Sequence, residues 1–264
     1  MNMQNKTSAE ANSLSLRGRT AIVTGAGQNI GKAIALKLGA QGANVVVCGH
    51  KNLANVEAVV ESLRASGSGA MAALLDIGDS DQVASTVEQT VANFGSVDII
   101  VANAAIRPHQ PFLEITDSDW QKVINTNLSS AFFLARAALP HMCRNKWGRV
   151  IHISGRDGFM ADVSRAHNVT CKAGLHGLTK AIAVEFGAQG VTANTVAPGP
   201  IDTKRILDNY PGLEEMQRYW ISQMPLGRMG TVEDVANVCG FLASGSAAFV
   251  TGALVHLSGG WIMS

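Results

Sequence analysis

The sequence predicts an α/β protein built as a single domain around a doubly wound parallel sheet of about seven strands, with helices on both faces. Seven short apolar runs alternate with longer segments in which apolar residues recur every three or four positions. The runs are nearly continuous in apolar residues, which is typical of strands covered on both faces. The chain has 264 residues, 47% of them hydrophobic, so it is long enough for one large core.

The predicted strands lie, in chain order, at residues 19–24, 43–48, 70–75, 97–102, 148–154, 191–196 and 253–257. Amphipathic helices are predicted between them at residues 30–41, 55–65, 81–93, 117–144 and 172–187. Strand–helix alternation implies right-handed crossovers, and such sheets bind ligands at the carboxyl ends of their strands. Functional residues are therefore expected just after the strands.

Composition excludes several classes of protein. The net charge of +1 gives no reason to expect a nucleic-acid or membrane-surface partner, and no apolar run approaches the ~18 residues that span a bilayer. The four cysteines lie far apart without CxxC spacing, which indicates reduced thiols rather than disulfides or a metal site. Residues 1–14 lack the apolar stretch of a secretory signal and are predicted to form a disordered tail before the domain at 15–264. A cytoplasmic location is expected.

A glycine-rich turn follows the first strand and leads directly into a helix. Residues 24–31 read TGAGQNIG. Glycines at such a turn let backbone N–H groups approach a pyrophosphate at the positive end of the helix. An ordinary tight turn is the alternative, but the position after the first strand favours dinucleotide binding by Gly25, Gly27, Asn29, Ile30 and Gly31.

These features resemble the short-chain dehydrogenase/reductase family over roughly residues 17–262. The turn matches the family's glycine motif, except that Asn29 stands where a glycine is usual. Residues 75–76 resemble the segment that meets the adenine, residues 101–105 the turn after the fourth strand, and residues 198–203 the loop beside the nicotinamide. The resemblance implies a Rossmann-type fold and further dinucleotide contacts from Asp76, Ile77, Asn103, Lys172, Pro198, Gly199, Ile201 and Thr203.

The end of the second strand bears on the choice of dinucleotide. A carboxylate there would accept the ribose hydroxyls of NAD, whereas a basic group accommodates the 2′-phosphate of NADP. The sequence has His50 and Lys51 at this point and no acid. NADP(H) is therefore favoured over NAD(H), with a solvated surface lysine as the alternative reading of Lys51.

The family's chemistry implies four catalytic groups: a tyrosine that exchanges a proton with the substrate, a lysine that lowers its pKa, a serine that holds the substrate oxygen, and an asparagine on the proton path. Asn127 and Lys172 match the asparagine and the lysine. Asn168, whose amide does not titrate, stands at the tyrosine position. The serine position falls on Gly155, and the adjacent Ser154 is expected to face the other side of the strand.

Other polar groups fall near the predicted cleft. His167 offers an imidazole beside the vacant tyrosine position, and it completes the candidate catalytic set of Asn127, His167, Asn168 and Lys172. Candidate substrate-binding residues are Arg107, His109, Ser154, Gly155 and Arg156. A loop ion pair between Arg156 and Asp157 is the alternative. The chain's two tyrosines, Tyr210 and Tyr219, lie in a segment at about 202–224 that resembles the family's substrate lid.

Three functions stay open at this point. The favoured one is an NADP(H)-dependent oxidoreductase acting on a small carbonyl or alcohol through an altered proton relay. A non-redox enzyme on the same scaffold, such as a lyase, dehalogenase or hydrolase, is the second, because fold does not fix chemistry. The third is a catalytically silent, cofactor-binding subunit. The resemblance implies a homotetramer or dimer, and the third function a hetero-oligomer with an active homologue. No metal is expected.

Overall fold

The structure, a computed structural model, describes residues 15–203 and 212–263. Its sheet has seven parallel strands in the order β3-β2-β1-β4-β5-β6-β7. The strands are β1 (Thr20–Val23), β2 (Asn44–Gly49), β3 (Ala70–Leu74), β4 (Ile99–Ala102), β5 (Gly148–Ile153), β6 (Val191–Pro198) and β7 (Leu254–Leu257). The order reverses at β1 and β4, so the crevice for a ligand opens at the carboxyl ends of these strands. The predicted doubly wound parallel sheet is confirmed.

Burial on both faces accounts for the continuous apolar runs. Every residue of β1, β5 and β6 is buried, whereas the edge strand β3 is only partly covered. One core cluster packs Ile34 and Leu38 against one face of the sheet, and a second packs Leu134 and Met142 against the other. The site at the strand ends therefore rests on a scaffold that is packed from both sides.

The helices of the described ranges follow the predicted pattern with two differences in the middle of the chain. They are α1 (Asn29–Ala40), α2 (Leu53–Ala65), α3 (Ser80–Phe94), α4 (Asp117–Ile124), α5 (Ser130–Arg144), α6 (Ala166–Phe186), α7 (Leu213–Gln223) and α8 (Val232–Ala243). The single helix predicted at 117–144 is interrupted by a π-helical turn at Asn125–Ser129. The helix predicted to begin at residue 172 begins six residues earlier, so it includes His167 and Asn168.

Two further points concern the C-terminal third. Helix α8 was not predicted, and its start is marked by a capping box in which Thr231 and Asp234 bond each other's backbone N–H groups. Helix α7 lies within the predicted lid segment, while the predicted tail at 1–14 and Tyr210 lie outside the described residues. None of the helices in the described ranges has the length and hydropathy that a bilayer crossing requires.

Candidate active site

A cavity of about 1230 Å³ opens at the carboxyl ends of the strands. Its walls come from the turn after β1, the ends of β2 and β4, the loop after β5, the start of α6, the loop after β6 and one face of α7. The cavity therefore lies at the switch point of the sheet, where the sequence predicted it.

The glycine turn is fixed to the neighbouring strand by Asn103. The Asn103 side chain donates hydrogen bonds to the carbonyl oxygens of Thr24 at 2.9 Å and Gly25 at 3.1 Å. A Cβ on Gly31 would lie 2.2 Å from the Gly25 carbonyl oxygen, so only glycine allows this close approach of helix and turn. Asn29 has a φ of 48°, a left-handed conformation that asparagine tolerates, which explains how it replaces the usual glycine.

The cavity is also lined by His50, Asp76 and Ile77, three of the residues predicted to contact a dinucleotide. The Asp76 carboxylate accepts a hydrogen bond from the Gly78 N–H at 2.9 Å, and His50 Nδ1 lies 3.3 Å from the Leu75 carbonyl oxygen. Lys51 is exposed and does not line the cavity.

Of the remaining residues predicted to contact a dinucleotide, one does not reach the cavity and the others line it. Gly27 lies behind it, where a Cβ would meet Asn55, and it does not line the cavity. The predicted residues that do line it here are Gly25, Asn29, Ile30, Gly31, Asn103, Lys172, Pro198, Gly199, Ile201 and Thr203.

Asn127 and Asn168 form one hydrogen-bonded line. Asn127 sits in the π-helical turn, a distortion that is frequent at functional sites and that turns its side chain toward the loop after β4. Its Oδ1 accepts from the Ile106 N–H at 2.9 Å, and its Nδ2 donates to the Ile106 carbonyl at 2.8 Å and to Asn168 Oδ1 at 3.1 Å. Both asparagines are buried.

Lys172 lies one helical turn beyond Asn168 and is buried at the cavity wall. Its Nζ donates to the Ile153 carbonyl oxygen at 2.7 Å. Burial, with a smaller contribution from the positive charge of Arg107, lowers the pKa of the ammonium to about 8. The backbone therefore holds the lysine in place, and its ammonium group loses its proton at a pH not far above neutral.

The segment at the end of β5 offers little to a substrate oxygen. The Ser154 hydroxyl donates to the Lys172 carbonyl at 3.0 Å and lies 2.9 Å from His176 Nε2. Its hydrogen bonds are therefore made to residues of α6. Gly155 is extended and lines the cavity, with room for a Cβ that would meet only the Pro198 carbonyl oxygen at 3.7 Å. His176 was not identified from the sequence, because its distance of 22 residues from Ser154 carries no local signal.

Asp157, which the sequence placed near the cleft with an ion pair to Arg156 as one reading, stands beside Asn168. Asp157 Oδ2 accepts a short hydrogen bond from Asn168 Nδ2 and forms an ion pair with Arg165 at 3.6 Å. Arg156 contacts Asp157 only at 3.9 Å and bonds Asp162 at 2.8 Å, so the simple loop pair between neighbours is not the main contact. The sequence predicted Asp157 at the edge of the sheet where the structure places it, but its contact with Asn168 depends on where α6 begins.

The structure does not bring His167 to the cavity. Its ring is fully buried, and its Nδ1 accepts from the Asn168 N–H at 2.9 Å. Burial lowers the pKa of its imidazole. Tyr219 is likewise turned away, exposed and edge-on to Trp261 at 6.4 Å between ring centroids, and it does not line the cavity.

The residues predicted to bind substrate make part of the cavity wall rich in charge. Arg107, His109 and Arg156 line it, as do Met216 and Trp220 from α7. His109 Nε2 lies 2.6 Å from an Arg165 guanidinium nitrogen. The predicted substrate-binding residues thus line the same cavity as Asn168 and Lys172.

Known proteins share this sequence and this fold. A family model described as enoyl-(acyl carrier protein) reductase matches residues 25–262. The 3-oxoacyl-acyl-carrier-protein reductase FabG of Pseudomonas aeruginosa is 42% identical over 252 residues, covering 95% of this chain and all of that protein.

Solved structures agree. A gluconate 5-dehydrogenase from Burkholderia cenocepacia, in complex with NADP and tartrate, superposes with a TM-score of 0.87 at 28% identity, over 96% of this chain and 98% of that one. A 3-oxoacyl-acyl-carrier-protein reductase from Agrobacterium tumefaciens with NADP bound gives 0.87 at 33% identity, over 95% and 96%. With a family match over most of its length, the chain belongs to the short-chain dehydrogenase/reductase family of NAD(P)-dependent oxidoreductases.

Proposed function

We propose that the protein is an NADP(H)-dependent oxidoreductase that interconverts a small carbonyl and the corresponding alcohol through an altered proton relay. The observation that carries this is the joint presence, around one cavity, of the glycine turn bound to Asn103 and the buried Lys172. A binding turn and a charged lysine at the same strand ends serve a dinucleotide whose reactive ring lies beside a substrate.

The residues at the turn fit a dinucleotide. Gly31 permits an approach that any Cβ would block, and the first turn of α1 has no side-chain cap from Gln28, so its N–H groups face the cavity end where an anion would lie. His50 and Asp76 stand at the other end for the adenosine part, with Lys51 beyond them at the surface. When bound, the dinucleotide supplies or accepts the hydride.

The proton relay differs from the one implied by the family resemblance. Asn168 cannot gain or lose a proton, and Gly155 has no side chain to hold an oxygen. Asn127 and Lys172 keep their places, so a path for protons and a positive charge remain next to the substrate. We expect a proton donor other than a tyrosine.

The substrate is expected to be polar. Arg107, His109 and Arg156 face the cavity, with Ser154 and Gly155 at its base. Relatives are named for 3-oxoacyl groups and for gluconate, which are carbonyl and polyol substrates that carry further oxygen atoms. A small oxygen-rich carbonyl or alcohol matches this wall.

Cofactor binding is the first test. The purified protein is titrated with NADPH and with NADH, read by energy transfer from tryptophan to nicotinamide. NADPH should bind at micromolar concentration and NADH much more weakly. Lys51→Ala should weaken NADPH binding about tenfold, because a charge-assisted contact to the 2′-phosphate is lost. The NADH dissociation constant should not change, and an equal loss for both would contradict the role of Lys51.

Hydride transfer is the second test. NADPH carrying deuterium at C4 is incubated with a panel of polar carbonyl compounds, and the alcohols are analysed by mass spectrometry. Deuterium in any product supports the oxidoreductase. Binding of NADPH without transfer to any member of the panel, together with product formed from the panel at constant nicotinamide absorbance, would indicate the non-redox alternative.

A further inference from the structure

In the chain of hydrogen bonds that leads from the Ile106 N–H through Asn127 and Asn168 to Asp157, each group donates to the next. The Ile106 N–H donates to Asn127 Oδ1, so Asn127 Nδ2 must be the atom that faces Asn168. Asn168 therefore presents Oδ1 to Asn127 and Nδ2 to the opposite side, where an acceptor is required. The carboxylate of Asp157 is that acceptor.

This chain of hydrogen bonds ends at Asp157, the first side chain in it that can exchange a proton. Neither asparagine amide titrates, whereas a carboxyl group does. Asp157 lines the cavity, and its side chain is 16% exposed. An amide is shorter than a phenol, so at this position the amide bridges to a second side chain instead of reaching the substrate itself.

We propose that Asp157 is the acid–base catalytic residue of this enzyme, held in place by Asn168 as a positioning residue. The proposal rests on the proposed oxidoreductase function. It assigns to a loop carboxylate, two residues after the vacant serine position, the role that a helix tyrosine would have at position 168.

Several charged groups surround Asp157. Arg156, Arg165, Lys172 and His109 interact with its charge, while Asp162 pairs with Arg156, and Arg107 acts on Lys172 and His109. A carboxylate is the form of this side chain that accepts a proton, and Arg165 pairs with it at 3.6 Å. We therefore expect alcohol oxidation to be the faster direction at neutral pH.

In that direction the substrate O–H bond breaks and its proton goes to an Asp157 carboxylate oxygen. The electron pair of that bond becomes the second bond of the carbonyl, while the substrate carbon gives up its hydrogen with two electrons to the oxidised dinucleotide. The carboxylic acid then releases its proton to solvent. Alcohol and oxidised dinucleotide thus give carbonyl, reduced dinucleotide and one proton.

The test compares Asp157→Asn with Asp162→Asn. Both remove one negative charge from the same loop, but only Asp157 contacts Asn168, and Asp162 pairs with Arg156 instead. Each variant is assayed for NADP⁺ reduction with a panel of polyols and hydroxy acids across pH 5–9. A binding measurement on the same variants gives the dissociation constants of NADP⁺ and NADPH.

We expect Asp157→Asn to lower kcat/KM for oxidation by about 10²–10⁴-fold, because the group that accepts the substrate proton is lost. Asp162→Asn should stay within a few-fold of wild type. Loss of the carboxylate should also weaken NADP⁺ about threefold to tenfold without affecting NADPH, because only the oxidised ring is positively charged.

Wild-type rates in Asp157→Asn would overturn the assignment while leaving the oxidoreductase in place. So would an equal loss in both variants, because it would indicate a general charge effect rather than proton transfer. Binding of NADPH without hydride transfer by the wild-type protein to or from any substrate overturns the proposed function and this assignment together. Unchanged NADPH affinity in both variants shows that each is folded.

Discussion

A neutral histidine is buried in the centre of the sheet. His152, in β5, is fully buried, and its Nδ1 lies 2.8 Å from Thr179 Oγ1. Its Nε2 has no hydrogen-bond partner among the described residues. Burial lowers the pKa of the imidazole to about 4, and the positive charge of Lys172 contributes in the same direction. The native state therefore resists protonation that the unfolded chain accepts.

This makes His152 an acid-sensitive position. The unfolded pKa is near 6.5, so the native state loses stability as the pH falls from 6.5 to 4. Between pH 7.5 and pH 5 the contribution is about 2 kcal/mol in the free energy of unfolding. His152→Val should show a pH dependence smaller by that amount in urea denaturation. An identical pH dependence in the variant would contradict this role of His152. The pH dependence that remains in the variant is attributed to other histidines whose pKa values burial also lowers, namely His109, His141, His167 and His176.

Single residues differed in how far the sequence could place them. Lys172 and Asn127 follow from local motifs, and the structure puts both at the candidate site. Asp157 could be placed at the cavity edge, with Arg156 as its suggested partner. Its contact with Asn168 was not predicted, because it joins a loop to a helix whose start was not predicted correctly. His167 was assigned by adjacency, yet neighbouring positions on a helix face different directions.

At the scale of elements, the turn after β1 and the start of α1 act as one unit. Gly31 lies in the first turn of α1, and a Cβ there would meet the Gly25 carbonyl oxygen at 2.2 Å and Asn103 Nδ2 at 2.6 Å. Either the helix would move away from the turn or the bonds from Asn103 would break. The same contact thus controls packing and the shape of the dinucleotide site.

Gly31→Ala should destabilise the protein by about 2–3 kcal/mol, as overpacking does, and abolish NADPH binding. Gly177→Ala is the matched control. Gly177 is exposed within α6 and a Cβ there meets nothing within 4 Å, so alanine should stabilise the helix by up to about 1 kcal/mol and leave binding unchanged. Thermal unfolding and the NADPH titration measure both effects. Normal binding by Gly31→Ala would show that the turn does not hold the dinucleotide.

Element types were predictable where periodicity is long, and the starts of α2 and α3 are also marked by the capping side chains of Asn52 and Asp79. Helices α1, α2 and α3 begin and end within about two residues of the prediction. The π-helical turn at Asn125–Ser129 left no trace, since the apolar pattern of α4 continues into α5 across it. Helix α6 starts at Ala166 with no side-chain cap from Arg165, so nothing in the sequence marked its beginning.

At the scale of the whole molecule, two neighbouring helices expose apolar side chains away from the sheet. Helices α5 and α6 both pack on the second core cluster through residues such as Leu134 and Ile182. On the outward side, Phe132 of α5 is 44% exposed and Val184 of α6 is 87% exposed. The family resemblance implies a homotetramer or dimer, and these two helices correspond to those predicted at 117–144 and 172–187. We expect a second copy of this chain to cover this surface.

We expect the protein to be a homotetramer or a dimer whose subunits meet through α5 and α6. Size-exclusion chromatography with light scattering should give a multiple of 27.7 kDa, and Val184→Glu should give a smaller species, because a symmetric interface places two buried carboxylates close together. Leu53→Glu is the control, since Leu53 is 43% exposed on α2, which packs at the other end of the sheet. It should keep the wild-type mass. A wild-type monomer, or Val184→Glu at the wild-type mass, would contradict the role of this surface.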